Sequence, residues 1–171
     1  VVLPSVTAGS HEVTIDFVAG DEALNRNDEF LYTLFVPARA RVALPVFDQP
    51  DLKGRWTVTL EHPSQWQSAA NGAERSRTTN GARTTVTFAE QQPLPTYHVA
   101  SIAGDFKIET ADRNGRTYRM FHRETDAAKV TRNRDAIFDL HARALEFLEA
   151  YTAIPYPFGK FDFVAIPAFQ F

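Results

Sequence analysis

The chain of 171 residues has 44% apolar residues, 23% charged residues and a formal net charge of −3, which is typical of a soluble globular protein with one domain or one and a part. A pI near 6.0 without grouped Lys and Arg side chains argues against a nucleic-acid-binding surface, because such a surface must neutralise phosphates. The absence of cysteine excludes disulfides and thiolate metal sites. No apolar run reaches the roughly 18 to 20 residues of a membrane span, and the compartment is left open.

Alternating apolar residues predict that the first two thirds of the chain are all-β. Residues 11–18 place Val13, Ile15 and Phe17 on one face, which is the pattern of a half-buried strand. Further strands are predicted at residues 30–36, 55–62, 84–88, 97–102, 106–109 and 118–121.

Asn-Gly pairs predict tight turns between several of these strands. Asn71-Gly72 and Asn80-Gly81 each supply the positive φ angles that short hairpins require. The last two predicted strands are expected to pair with each other across residues 112–115.

Residues 31–56 combine an apolar strand, two arginines and a proline-framed Phe-Asp-Gln-Pro turn. We expect Asp48 to cap the short turn that follows it, through a hydrogen bond to a free backbone N–H. Arg39 and Arg41 point to one side if the backbone is extended, so one of them can meet Asp48. We interpret this arrangement as an internal salt link that holds a turn, with direct contact to substrate as the alternative.

An α-helix is predicted over residues 134–151, ended by the prolines that follow Ile154. Its predicted buried stripe consists of Ile137, Leu140, Ala144, Leu145 and Leu148, which follow helical spacing. His141 lies beside the stripe without a partner at the i+4 spacing of a metal pair, so we interpret it as a half-buried core or surface histidine. The sequence contains no recognisable catalytic triad or phosphate-binding loop.

Residues 161–171 form one of the most apolar stretches, with four phenylalanines. Because domain termini are usually polar, we interpret this stretch as a strand whose neighbours belong to the rest of a longer protein. The alternative is a terminal strand docked in its own sheet. Exposed apolar edges of this kind favour self-association.

Three stretches of the sequence resemble one protein family in their order and spacing. Residues 46–53, Val-Phe-Asp-Gln-Pro-Asp-Leu-Lys, are similar to the Cys-Phe-Asp-Glu-Pro segment of the aminopeptidase N family of zinc metallopeptidases, which also includes leukotriene hydrolase. Residues 93–106, and the helix followed by Pro-Tyr-Pro and residues 160–167, resemble the same family in order and spacing. The resemblance covers residues 11–171.

The resemblance implies a mainly β fold with one α-helix. Residues 1–108 would be part of a saddle-like β-sandwich domain, and residues 109–171 the first strands and helix of a thermolysin-like catalytic domain. The family's Gly-x-Met-Glu-Asn motif would begin directly after Phe171, and its zinc-binding His-Glu-x-x-His helix lies further on. The resemblance therefore implies a parent zinc aminopeptidase that releases N-terminal residues from peptides, whereas this chain alone would bind no zinc and be inactive.

Three positions correspond to substrate-binding positions of the family. Leu34 and Val36 match the Gln-x-Glu positions that hold the free amine of the substrate in many relatives, and both are apolar here. Phe171 matches a wall of the pocket for the first side chain, which implies an apolar or small N-terminal residue; the alternative is a plain core aromatic. Two other functions are considered: a non-catalytic interaction scaffold of the same fold, and an independent β-sandwich binding domain.

Overall fold

The computed structural model describes residue 5 and residues 7–166, which contain ten β-strands, two 3₁₀ turns and one α-helix. In chain order the strands are β1 (Leu24–Arg26), β2 (Phe30–Thr33), β3 (Thr59–Pro63), β4 (Gln67–Ala70), β5 (Glu74–Asn80), β6 (Arg83–Phe88), β7 (Ser101–Gly104), β8 (Lys107–Arg113), β9 (Arg116–His122) and β10 (Phe161–Val164). The helix α1 (Ala127–Thr152) lies between β9 and β10, and the 3₁₀ turns are Ala40–Val42 and Thr96–His98. The prediction of a mainly β chain with one α-helix is confirmed for the described part.

The strands form three sheets. The first has the order β1-β2-β7-β4, the second β3-β6-β5 and the third β10-β9-β8. Neighbouring strands are antiparallel except β10, which runs parallel to β9. Parallel neighbours need a crossover connection, and α1 provides it while packing against the third sheet.

The helix is longer than the predicted residues 134–151. It begins after Asp126, whose side chain accepts a hydrogen bond from the backbone N–H of Lys129 at 3.0 Å. Such an N-cap satisfies one of the free donors of the first turn. The helix ends before Ala153, which adopts a left-handed conformation with φ of 55°.

The predicted buried stripe of α1 is only partly correct. Leu145 is buried, but Leu140 is 60% exposed and Leu148 is 52% exposed. The buried face is instead Phe138, Ala142 and Leu145, which follow i, i+4 and i+7. Two apolar stripes lie side by side on this helix, and periodicity alone does not show which of them the sheet covers.

The strand predicted at residues 11–18 is wrong. This segment has no regular secondary structure, and Val13, Ile15 and Phe17 are exposed. Alternation defines two faces, but a strand also needs a neighbour for its backbone hydrogen bonds. Among the described residues no strand pairs with this segment.

Two of the predicted hairpins are confirmed. Asn114 and Gly115 have φ angles of 52° and 76° and connect β8 to β9, the two-residue turn that favours Asn-Gly. Gly81, with φ of 57°, lies in the turn between β5 and β6.

The Asn71-Gly72 pair is not a hairpin turn, so this prediction is wrong. It carries the chain from β4 in the first sheet to β5 in the second sheet. Gly72 is required by close packing, since a Cβ there would overlap the carbonyl oxygen of Ala89. The Asn71 side chain donates to the carbonyl of His98 at 2.9 Å and accepts from the N–H of Ala100 at 2.7 Å.

The strand predicted at residues 97–102 is displaced. Its first part is the 3₁₀ turn Thr96–His98, and the strand itself is Ser101–Gly104. The turn is closed by a hydrogen bond from the N–H of Val99 to the carbonyl of Thr96 at 3.0 Å. Because such a turn does not change the composition of the segment, the sequence does not show that the predicted strand is interrupted.

The first and third sheets share a buried cluster. Its members come from β2, β4, β7 and β9 and from the segment before β8: Phe30, Tyr32, Ala69, Ile102, Phe106 and Phe121. A second cluster lies between α1 and the third sheet, formed by Ala111, Tyr118, Met120, Phe138, Ala142 and Leu145. These two clusters position the strand β10, which contributes apolar side chains to both.

Candidate functional site

The side chain of Asp48 is the centre of the residue 31–56 stretch. It is only 3% exposed and accepts hydrogen bonds from the backbone N–H of Arg41, at 3.2 Å, and from the hydroxyl of Thr96. A guanidinium nitrogen of Arg41 lies 3.9 Å from the same carboxylate, so the predicted arginine partner is Arg41. Asp48 binds the 3₁₀ turn Ala40–Val42 that precedes it, and the prediction that it caps the following turn is wrong.

Asp48 therefore joins two distant turns. Thr96 belongs to the second 3₁₀ turn, 48 positions further along the chain. Beneath both turns lies a buried cluster of Ala23, Phe35, Ala40, Ala43 and Val99. The largely buried side chain of Asp48 bonds to both turns, so it stabilises the fold.

The two predicted substrate positions of this stretch have different environments. Leu34 is half-buried and packs against the cluster shared by the first and third sheets, as do Val164 and Ile166. Val36 is 43% exposed. Phe171 lies outside the described residues. The structure thus places Leu34 against the same cluster as the last described residue of the chain, Ile166.

A pocket of about 330 Å³ lies between the first sheet and residues 156–164. Most of its wall is apolar and comes from Ala69, Ala70, Leu94, Ala100, Ile102, Tyr156, Phe158 and Val164. Its polar lining consists of Asn71, Gln91, His98, Ser101, Lys160 and Asp162. Neither Leu34 nor Val36 lines this pocket.

A charged network forms part of the pocket lining. Asp162 accepts two hydrogen bonds from the guanidinium of Arg119, at 2.8 and 2.6 Å, and one from the ammonium of Lys160 at 2.5 Å. Lys160 also donates to the carbonyl of Ala70 at 2.6 Å. Because Ala70 ends β4 and Lys160 precedes β10, this network ties the first sheet to the third.

Burial changes the protonation equilibria of this network. It lowers the pKa of Lys160, because desolvation disfavours the ammonium more than the bond to Asp162 favours it. Burial also acts to raise the pKa of Asp162, but the hydrogen bonds from Arg119 and Lys160 outweigh it and hold this pKa below the usual value. Tyr156, whose hydroxyl donates to the Lys160 carbonyl at 3.0 Å, has its pKa raised by burial.

No sequence motif predicts this network. Lys160 and Asp162 are separated by one residue, which places both side chains on one face of a strand. That spacing is the only local signal, because Arg119 lies 43 positions away from Asp162 and Ala70 lies 90 positions away from Lys160.

The described residues do not fit a zinc site. Within residues 7–166 no group of three or more His, Cys, Asp or Glu side chains is arranged to hold a metal ion. His141 stacks on Phe163 with ring centroids 3.8 Å apart and contacts the carbonyl of Ile137, which confirms its interpretation as a half-buried histidine. His62 is buried and bonded to Ser68 at 3.0 Å. In the same part of the chain, α1 is too polar to cross a membrane.

The sequence of more than half of the chain matches a known family. Residues 10–98 match the family model described as the peptidase M1 N-terminal domain. The chain belongs to the peptidase M1 family. The Asp48 brace, which consists of Asp48, Arg41 and Thr96, lies within the matched residues, as do the second sheet and three strands of the first. The strands β7 to β10 and α1 lie beyond them.

Several M1 peptidases from plants and mammals are similar to the chain. It is 34% identical over 138 residues to aminopeptidase M1-B of Oryza sativa subsp. japonica and 32% identical over 140 residues to aminopeptidase M1 of Arabidopsis thaliana. Glutamyl aminopeptidase of Sus scrofa is 28% identical over 141 residues. These alignments cover 80%, 80% and 78% of this chain. The chain spans about 15% of the length of these relatives.

Proposed function

We propose that this chain is part of a zinc-dependent aminopeptidase that releases N-terminal residues from peptides. The observation that carries this proposal is the match of residues 10–98 to the peptidase M1 N-terminal domain, together with relatives that are named as aminopeptidases. In this proposal residues 1–108 belong to the N-terminal β domain. Residues 109–171 begin the thermolysin-like catalytic domain.

The proposal assigns the chain a supporting role in catalysis. The described residues offer no donor set for zinc, so the zinc ligands are assigned to the part of the whole protein beyond this chain, and the chain alone is expected to be inactive. Its contribution is the rigid β framework that the Asp48 brace and the shared apolar cluster stabilise.

The experiment compares the whole protein with the 171-residue chain on leucyl-p-nitroanilide. The whole protein should hydrolyse it, lose activity with 1,10-phenanthroline and regain it with zinc, while the chain alone should show no hydrolysis. A whole protein that lacks the His-Glu-x-x-His motif, binds no zinc and hydrolyses no aminoacyl substrate would contradict the proposal and favour the interaction scaffold of the same fold.

We also propose that Leu34, Val36 and Phe171 line the substrate-binding region of the whole protein. The half-buried Leu34 packs against the same cluster as Ile166. Ile166 is the described residue nearest to Phe171 in the sequence, and this supports the grouping. Since Leu34 and Val36 are apolar, the substrate amine is recognised by other groups.

Placing a carboxylate at the exposed position 36 tests whether Val36 lies in the substrate-binding region. Val36→Glu in the whole protein should lower KM for leucyl-p-nitroanilide by about fivefold, which corresponds to a partly exposed ion pair of about 1 kcal/mol. Val18→Glu, at a position that is 97% exposed, is the control and should leave KM unchanged. An unchanged KM in Val36→Glu would place Val36 outside the substrate region.

The chain alone is further proposed to self-associate through exposed apolar surface. Strand β10 is an edge of the third sheet in the described part, and α1 exposes Leu140, Phe147, Leu148 and Tyr151. Sedimentation velocity should show species larger than a monomer as the concentration rises. A monomer at high concentration would contradict this proposal.

A further inference from the structure

The pocket between the first sheet and residues 156–164 has no role in the aminopeptidase function proposed above. Its volume of about 330 Å³ lies within the range of pockets that hold small molecules, which are mostly apolar with a few polar groups. The walls supplied by Tyr156, Phe158 and Leu94 are apolar, and the ammonium of Lys160 is the charged donor in the lining. This combination suits a ligand with an apolar body and one charged group.

The charges of the network favour an anion. Two cations, Arg119 and Lys160, surround one carboxylate, Asp162, so the three side chains carry a net charge of one positive. Asp162 is 9% exposed and already accepts three hydrogen bonds. The negative charge of Asp162 is therefore compensated within the protein by two cations, one of which, Lys160, lines the pocket.

Lys160 retains the capacity to bind a ligand. An ammonium group has three N–H donors, and two of them bind the Ala70 carbonyl and Asp162. Within the described residues no third acceptor contacts the Lys160 ammonium, although the side chain is only 18% exposed. A buried donor gains most from a charged acceptor, and an anion at this position would also stabilise the charged form of a lysine whose pKa is lowered by burial.

A second donor lies in the same lining. The hydroxyl of Ser101 makes no hydrogen bond to any described residue, and its backbone groups are occupied by Thr33. Ser101 pairs with Ala70 in the first sheet, and the Ala70 carbonyl accepts from Lys160, so both donors lie beside Ala70. A carboxylate has two oxygens, one for each of these donors. The side chains of Tyr156 and Phe158 pack edge to face, with ring centroids 5.3 Å apart, and provide a wall against which an apolar body can pack.

We propose that this pocket binds a small organic carboxylate, with Lys160 and Ser101 holding the carboxylate and Tyr156 and Phe158 contacting the apolar body. The site lies outside the residues assigned to peptide substrate and requires no metal ion. Its occupancy is therefore independent of the aminopeptidase proposal.

The experiment uses two probes of equal shape, 3-phenylpropionate and the neutral 3-phenylpropanamide, titrated into the chain by isothermal calorimetry and by amide NMR. The carboxylate should bind with a Kd of about 1 mM or tighter, which is the range for an 11-atom ligand of ordinary efficiency. The amide should bind at least about tenfold more weakly, since an ionised acceptor is roughly twice as strong as a neutral one. The shifted amide signals should include those of Ser101 and Ile102.

Two variants and a control test the assignment. Lys160→Met keeps the apolar stem and should abolish the preference for the carboxylate, whereas Lys53→Met, at an exposed lysine, should leave it unchanged. Because Lys160→Met also leaves the Ala70 carbonyl unpaired, Ala100→Leu provides an independent test: it fills the pocket from an exposed position, keeps the charged network and should abolish binding of both probes. Equal affinity for carboxylate and amide, no binding of either, or full affinity in Ala100→Leu would overturn the proposal.

Discussion

Two parts of the described chain are stabilised in different ways. The two-sheet part, residues 24–104, contains the first and second sheets, and its polar links include side chains that bond to backbone groups of other segments, as with Asp48 and Asn71. The helix-sheet part, residues 107–164, packs α1 on the third sheet over a buried aromatic core. Its polar links include pairs between charged side chains, some exposed, as with Arg113 and Asp139, and some largely buried, as with Lys160 and Asp162.

The exposed charged pairs of the helix-sheet part contribute little to its stability. In the helix-sheet part Arg116 forms a two-point pair with Glu149, at 3.1 and 2.7 Å, and Arg113 pairs with Asp139 at 2.6 Å. Exposed pairs of this type contribute only about 0–1 kcal/mol each, so apolar burial by α1 must supply most of the stability. In the two-sheet part the side chain of Asp48 is only 3% exposed, and its removal would leave its donors without their acceptor, which is costly.

The largest expected effect is in the core of the helix-sheet part. Phe138 is fully buried and packs edge to face on Phe163, with ring centroids 5.6 Å apart. Phe138→Ala should lower the free energy of unfolding by about 3–5 kcal/mol, because it loses transfer energy and leaves a cavity. Urea denaturation would measure this change. Phe147→Ala, on the exposed face of the same helix, should change it by less than about 0.5 kcal/mol, and equal effects would contradict the observed helix orientation.

The next largest effect is at the link between the first and second sheets. Gly72→Ala should lower the free energy of unfolding by about 3 kcal/mol, the upper end of the usual overpacking cost, because the new methyl group overlaps the Ala89 carbonyl. Gly159→Ala is the matched control, since a Cβ there meets no atom within 4 Å. Thermal unfolding of both variants would measure the difference, and a Gly72→Ala protein as stable as the control would show that these segments do not approach closely.

Loss of the brace should have a somewhat smaller effect. Asp48→Ala leaves the Arg41 N–H and the Thr96 hydroxyl without their acceptor, so it should cost about 2 kcal/mol. Asp51→Ala, an exposed aspartate two residues beyond Gln49, should be nearly neutral. Hydrogen exchange should show faster exchange of the Arg41 amide in Asp48→Ala only. Unchanged protection of that amide would mean that Asp48 does not hold the turn.

The smallest effect is a pH dependence confined to acid conditions. The pKa of Asp162 is below its ordinary value of 3.8 in the folded chain, so the carboxylate contributes stability that is fully present above about pH 4 and is lost as pH falls through the folded pKa. The stability difference between the wild-type chain and Asp162→Asn should thus be constant from pH 7 to pH 4 and shrink below pH 4. Denaturant midpoints across this range would measure it, and a difference that grows on acidification would contradict the network.

The sequence predicted best those features that depend on neighbours along the chain. The turn at Asn114 and Gly115 and the existence of α1 follow from local backbone preference and helical periodicity. The turn at Gly81 follows from the same preference. These features lie mainly in the helix-sheet part, where strand, turn and helix follow each other directly.

Features that depend on distant partners could not be predicted in the same way. Residues 11–18 have strand periodicity but no described neighbour to pair with. The partners of Asp48 and Lys160 lie 48 and 90 positions away, and no spacing rule links them. The exposed leucines of α1 fit helical spacing as well as the buried residues do. Burial depends on where the third sheet lies, and the spacing does not show this.

The parallel pairing of β10 with β9 has a consequence for the order of assembly. The hairpin of β8 and β9 needs only a two-residue turn. Strand β10 can join the third sheet only after the connection through α1 has crossed over that sheet. Contacts across such long separations form slowly, because the loop must close before they stabilise it. We therefore expect the amides of Phe161–Val164 to gain protection after those of the β8–β9 hairpin in pulse-labelled refolding, so that residues 156–164 close the pocket only after this hairpin has formed.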